Sequence, residues 1–383
     1  DRASDALIFG SKTATAKLDF TNAIDLNASI TTVREIRVID NPSSASDYAV
    51  MSGVLSSASN LTKTGDGLLE LAAANTFSGT ARVAAGELRI AHSLALRNSA
   101  FEPTATGTLS LASGITALNV GGLIGSTQLA SAVAGFGNVT AITLSGSTAA
   151  SMGTTLTYSA AIADGATGMT VTKDGSNVTQ ILGGANTYTG STTILAGTLR
   201  LGVGSSLPGN IANAAVLELV QGGASTGEAS GLISGTGALT MTGTGVVRLS
   251  SVASTYTGKT TVSSGVLEVV ALSGSGVAGS LGQPTGANAT IDLGSVSTTG
   301  TLRYVGATAA TTNRPFNLGS NAGGGIDGSG GALTLTGTVT GGTGTKTFTL
   351  TGTSTALNTI GTISGTGVSV VKDGTGLWRM TAA

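Results

Sequence analysis

Three short sequence words recur along this chain in a fixed internal order. Asn75-Thr76-Phe77-Ser78-Gly79 returns as Asn186-Thr187-Tyr188-Thr189-Gly190 and as Ser254-Thr255-Tyr256-Thr257-Gly258. In each copy a second glycine follows the first residue of the word by eleven positions, at Gly86, Gly197 and Gly265. Each of these opens a strand-like run: Leu88-Arg89-Ile90, Leu199-Arg200-Leu201 and Leu267-Glu268-Val269. A third word lies upstream, as Lys63-Thr64-Gly65, Lys173-Asp174-Gly175 and Met241-Thr242-Gly243. It returns once more as Lys372-Asp373-Gly374, ahead of Leu377-Trp378-Arg379-Met380, and the word due next falls beyond Ala383. Repeats in constant register point to stacked, like units, and the chain reads as part of a longer array.

Aligning the copies shows what each unit is. Leu69, Val247 and Trp378 share a column, as do Leu71, Leu249 and Met380, with Glu70, Arg248 and Arg379 between them. Val83, Ile194 and Val262 form another column, and Leu88, Leu199 and Leu267 a third. In the second copy Thr179 stands where the others have an apolar residue. Strict alternation describes short strands with one buried and one wet face. The outward column holds charges of either sign, as a solvated face does. Glycine, 60 of 383 residues, and Asp-Gly pairs supply the turns between strands. Charged residues are only 10 % of the chain, but 40 % is hydrophobic and alternates with polar positions, which sets it apart from disordered sequence. The expected fold class is all-β: a β-solenoid, that is a parallel β-helix, of short strands and Gly/Asn-rich turns.

Spacing gives the period. Gly65 to Gly175, Gly175 to Gly243 and Gly243 to Gly374 fit five, three and six units of roughly 22 residues. That makes about seventeen coils and a rod of roughly 80 Å at the spacing of adjacent strands. Residues 1–50 hold 12 of the 37 charged residues and read as a less regular, partly capping start. Residues 51–383 read as the repeat array, with copies near 63–90, 173–201, 241–269 and 372–383. Gly107–Leu111, Thr143–Ser145, Ile291–Leu293 and Leu333–Leu335 are expected strands of the intervening coils.

The words "TKTGDGLLELAAANTFSGTARVAAGELRI", "ILGGANTYTGSTTILAGTLRLG" and "SGTGALTMTGTGVVRLSSVASTYTGKTTVSSGVLEV" resemble the autotransporter-associated β-strand repeat, also called the passenger-associated transport repeat. "ISGTGVSVVKDGTGLW" resembles the start of another copy. The resemblance implies a right-handed parallel β-helix, exposed on or released from the surface of a Gram-negative-type bacterium. It implies roles in secretion, as a stalk or in adhesion, and transfers no catalytic residue. A C-terminal membrane barrel, part of a complete autotransporter, is not in this sequence, which leaves the export route open.

The chemistry is sparse. Net charge is −1, so there is no basic footprint for nucleic acid or an anionic membrane. No apolar run is long enough to span a bilayer as a helix. A leader peptide is expected to have been removed or to lie outside this stretch. Cysteine is absent, and the single histidine, His92, reads as an exposed turn residue, since a zinc site needs three or four ligands. Thr257-Gly258-Lys259-Thr260 and Gly344-Thr345-Lys346-Thr347 lack the glycines of a phosphate loop and read as turns. Gly323-Gly324-Gly325-Ile326-Asp327-Gly328 is one copy of a pattern that needs many for calcium. Asp66, Asp174 and Asp373 stand in equivalent turns expected to lie several coils apart. Glu70, Glu87, Glu218 and Glu268 are the acids a β-helical polysaccharide lyase or glycosidase would use, but no clustered pair and no accompanying base is evident in sequence. Trp378 falls in an inward column. Phe77, Tyr188 and Tyr256 share one corner position and are expected to pack over it.

No residue is therefore nominated as catalytic, cofactor-binding or metal-binding. The expected function is a non-catalytic structural or adhesive rod segment of a large secreted or cell-surface protein, able to self-associate into extracellular fibres or to hold a surface glycan or protein. The alternative is a β-helical carbohydrate-active enzyme.

Overall fold

The computed structural model describes residues 6–27, 33–146, 154–176, 178–223 and 226–381. Nearly all regular structure is short strand, and the described strand pairs run parallel, with partners roughly one coil apart in sequence. The expected β-solenoid is what forms, with about 15 turns. Fewer turns than seventeen result because some coils carry inserts: Thr260 pairs with Ile291, 31 residues on, whereas Leu61 pairs with Ala81, 20 residues on.

The chain divides into two compact units, Asp1–Leu199 and Arg200–Ala383. In the first, one sheet climbs through Leu7–Phe9, Val33–Val38, Asn60–Thr64, Thr80–Val83, Leu96–Glu102, Ala117–Leu123, Ala141–Leu144, Thr170–Lys173 and Thr192–Ile194. Five steps separate Lys63 from Lys173 along it, as the spacing of Gly65 and Gly175 predicts. A second sheet holds Leu18–Phe20, Ala49–Met51, Leu68–Leu71, Gly86–Ile90, Gly107–Leu111 and Val133–Ala134. Beyond a short helix, Leu129–Ala132, a new pairing begins between Thr155–Tyr158 and Thr179–Leu182.

In the second unit the strands Ala238–Gly243, Thr260–Val262, Ile291–Leu293, Phe316–Leu318, Val339–Gly341 and Ile363–Ser364 follow one another on one sheet. Thr226–Ala229, Val246–Leu249, Gly265–Val269, Gly300–Tyr304, Gly323–Gly328, Lys346–Thr351 and Val368–Lys372 follow on another. Ala310–Thr312, Leu333–Leu335, Asn358–Ile360 and Trp378–Met380 form a third. The third-copy word at Met241 lies on the first of these sheets and the fourth-copy word at Lys372 on the second. The interval from Gly243 to Gly374 is therefore five coils and one further face, not six whole coils. The repeat marks a corner geometry that any face can use, so its phase is free to move.

The core is a stack of like on like. Val247, Leu267, Leu302, Ile326 and Leu350 are register partners in consecutive coils, and all are buried. Burying such a side chain is worth roughly 1.5–3 kcal/mol, and no coil buries its face without its neighbours. The second copy corrects the alignment: Gln180 and Leu182, not Thr179, point inward, because one extra residue lengthens the turn after Lys173. Gln180 is fully buried yet satisfied. Its amide nitrogen donates to the carbonyls of Leu123, Leu156 and Ile181, and its oxygen accepts from the Leu123 N–H at 2.9 Å.

The long insert at 271–289 is pinned by one strand end. Thr312 Oγ1 donates to Ser273 O, Asn313 Oδ1 accepts from Ser275 N, and the buried Arg314 donates to Ala289 O and Leu281 O.

Candidate functional site

The repeated words lie at the coil corners, and their first residue bonds to a neighbouring coil in all three copies. Asn75 is buried, its Oδ1 accepting from Leu55 N at 2.9 Å in the coil before and its Nδ2 donating to Ala95 O at 3.2 Å in the coil after. Asn186 accepts from Ile162 N at 3.0 Å, and in the third copy Ser254 Oγ accepts from Ile233 N at 3.1 Å. Asn358, outside the repeated words, makes the same double contact as Asn75, with Leu333 N at 2.9 Å and Leu377 O at 3.1 Å. One amide thus joins three coils and satisfies backbone groups at the corner, where a strand begins.

Two residues on, Phe77, Tyr188 and Tyr256 are buried over the corner, as expected. The two phenols meet a threonine four residues later: Tyr188 Oη lies 2.5 Å from Thr192 Oγ1, and Tyr256 Oη 2.8 Å from Thr260 Oγ1. Where the ring is Phe77, the position four on is Ala81, so polar meets polar and apolar meets apolar. Burial raises the tyrosine pKa values to about 12. The glycine closing the word permits backbone contact with the coil before: a Cβ on Gly258 would lie 1.9 Å from Gly237 O. Gly86, at φ +65°, turns the chain into the next strand.

The lysine of the upstream word was not singled out by the alternation pattern, and it points inward. Lys63 is fully buried, and its Nζ donates to the carbonyls of Thr64 at 2.9 Å, Gly65 at 2.7 Å and, one coil on, Ala85 at 3.0 Å. Lys173 Nζ donates likewise to Gly175 O and, one coil on, to Ala196 O at 3.2 Å. Burial lowers each of these lysines to about 8, against the opposing pull of Asp66 and Glu87 on Lys63 and of Asp174 on Lys173. The signal available in sequence was the fixed distance of the lysine from the turn glycine.

The outward column is not indifferent to the sign of charge, contrary to the solvated-face expectation. Arg248, Glu268, Arg303 and Asp327 are register partners in successive coils and alternate in sign. Glu268 lies 3.4 Å from Arg248 and 3.6 Å from Arg303, which in turn lies 2.7 Å from Asp327. Glu70 pairs with Arg89 at 2.6 Å, and Glu218 with Arg200 at 2.8 Å. Glu87 accepts from Ser110 Oγ. Three of the four acids considered for glycoside chemistry, Glu70, Glu218 and Glu268, thus do have basic partners, but one coil away on sheet faces, where sequence adjacency cannot show them.

The remaining expectations resolve locally. His92 is a half-buried turn residue whose Nδ1 accepts from Leu94 N. Gly323–Gly328 is a buried strand, and Lys346, expected in a turn, instead opens the strand Lys346–Thr351 and is buried with its Nζ on the carbonyls of Gly342 and Thr343. Lys259 pairs with Asp292 at 2.6 Å. Trp378 is half-buried, its Nε1 donating to Thr351 O, and Met380 beside it is 51 % exposed. Among the described residues no three histidines or acids gather as a metal site, and no helix is long and apolar enough to cross a membrane.

The profile of the passenger-associated-transport repeat matches residues 61–90, 171–201 and 239–269. These are the three copies whose corners are described above. The chain is also similar to the adhesin BmaC autotransporter of Brucella suis biovar 1, with 29 % identity over 243 residues. That similarity covers 52 % of this chain and 7 % of the relative, so the chain spans a small part of that protein's length. No solved structure matches. Three stretches of the chain thus match the passenger-associated-transport repeat, and about half of it is similar to part of an autotransporter adhesin.

Proposed function

We propose that the chain is a non-catalytic adhesive and structural segment of a large surface passenger, that residues 1–50 start its array and 51–383 extend it, and that copies associate into extracellular fibres. One observation carries this reading. The asparagine or serine of the repeated corner bonds to a neighbouring coil in all three copies, and Glu70, Arg200, Glu218, Arg248 and Glu268 are tied into cross-coil pairs. Such a unit adds length without adding chemistry, and it suits a surface whose contacts are spread over many coils. The printed description of the Brucella suis relative as an adhesin supports the same reading.

The test uses the purified 383-residue chain. Saturable binding to host cells or immobilised glycans, with concentration-dependent filaments in electron micrographs, is the expected result. A monodisperse monomer at all concentrations removes the fibre part, and absence of saturable binding removes the adhesive part. Release of new reducing or unsaturated sugar ends from a polysaccharide panel, lost in Glu268→Gln, replaces the reading with the carbohydrate-active enzyme.

A further inference from the structure

Two of the buried lysines, Lys63 and Lys173, occupy the same corner of the repeat in one pose. Lys63 and Lys173 each reach carbonyls of their own turn and of the next coil's turn. Lys372 reaches its own-turn carbonyls, Asp373 O and Gly374 O, both at 2.8 Å. No carboxylate forms an ion pair with any of them among the described residues. Turn carbonyls converging from two coils are a cage for a compact cation with three N–H donors, which a primary ammonium supplies.

The third copy keeps the corner and changes the occupant. Met241 stands in the lysine's place, and its carbonyl accepts from Ser263 N at 2.9 Å, as Lys63 O does from Ala84 N and Lys173 O from Leu195 N, both at 2.8 Å. Gly65 and Gly243 both have positive φ, as do Gly86, Gly197 and Gly265 in the coil above. The tips coincide as well: Lys173 Nζ lies 2.8 Å from the position a Cβ would take on Gly197, and Met241 Cε 3.0 Å from the same position on Gly265.

We propose that the first corner of the repeat is a binding site for a primary ammonium group, filled from within by the lysine in copies one and two, and retained in copy three beneath Met241. The lysine is then a positioning residue that ties two turns together through its charge, and the turn carbonyls are the receptor. The site takes alkylammonium; it offers no acceptor arrangement to a quaternary ammonium, which has no N–H to donate.

Two experiments on the full chain test this. Met241→Lys introduces a buried charge, which in an ordinary core abolishes folding. Here it is expected to melt within about 4 °C of the parent. Leu239→Lys, two residues earlier on the same inward face and away from the turn, is expected not to fold. Met241→Lys failing as badly as Leu239→Lys overturns the proposal. In the second experiment Lys173→Ala is refolded with n-propylammonium or with tetramethylammonium at equal ionic strength. Recovery of native yield and melting temperature with propylammonium alone is expected. Equal recovery with both cations, or recovery with neither, overturns the proposal.

Discussion

Tyr256 and Phe77 occupy one position of the repeat and need different neighbours. The phenol of Tyr256 is buried and has Thr260 Oγ1 as its partner, while Phe77 has Ala81. Tyr256→Phe leaves the threonine hydroxyl buried without that partner, and is expected to cost about 1–2 kcal/mol in urea denaturation. Tyr256→Phe combined with Thr260→Ala copies the first repeat and is expected to regain most of that loss. A double mutant no better than the single one contradicts the pairing. Asn358→Ala strands the Leu333 N–H, while the Leu377 carbonyl keeps the Asn358 backbone N–H, so a loss of about 1–3 kcal/mol is expected. Gly258→Ala places a Cβ against Gly237 O and is expected to be at least as severe. Which positions repeat was plain from the sequence, because a corner with fixed geometry demands fixed residues. Why they repeat was not. The threonine partner is four residues from the tyrosine and invisible to a two-residue strand period, and the partners of Asn75 lie 20 residues away on either side.

At the scale of strands, alternation identified the faces correctly wherever both neighbours of a strand were in place. Leu69 and Leu71, Val247 and Leu249, and the columns of Val83 and Leu88 are all buried. It misplaced Gln180, because an extra turn residue shifts the register by one and a one-residue shift swaps the faces. It was also blind to sign. The order Arg248, Glu268, Arg303, Asp327 exists only after coils of unequal length are stacked, with Leu267 pairing Leu302 across the insert. Arg303 is the ladder's pivot, since it serves both Glu268 and Asp327. Arg303→Glu would set three acids on adjacent rungs. Partly exposed pairs on a sheet are each worth about 0.2–1 kcal/mol, so a loss of roughly 1–3 kcal/mol is expected, and one that shrinks as salt screens the repulsion. Arg379→Glu is its control, an arginine on the exposed last strand Trp378–Met380. A salt-independent loss for Arg303→Glu would mean that the side chain matters through its packing and not through its charge.

Across the molecule, buried titratable groups give the stability an alkaline profile. Lys63 and Lys173 fall from 10.5 to about 8 on folding, with burial as the main cause and the carboxylates of Asp66 and Glu87 beside Lys63, and of Asp174 beside Lys173, opposing it only in part. Between pH 8 and 10.5 the unfolded chain holds protons on these lysines that the folded chain has released. Stability rises with pH wherever the unfolded state binds more protons, so it should climb through this window, by on the order of 3 kcal/mol per lysine at its completion. Tyr158, Tyr188 and Tyr256 act in the opposite sense, because burial raises them from 10.0 to about 12. Above pH 10 the unfolded chain loses phenol protons that the folded chain keeps, and stability falls. The two limbs cross near pH 10, which is where the urea midpoint is expected to peak. Both lysines and two of the three tyrosines lie in the unit Asp1–Leu199, so hydrogen exchange corrected for intrinsic rates should show the rise there. Lys63→Met with Lys173→Met, which copies the Met241 corner, should flatten the rising limb and leave the falling one. A midpoint that declines steadily from pH 8 upward in the parent chain would show that these ammoniums are not held against the cost of burial.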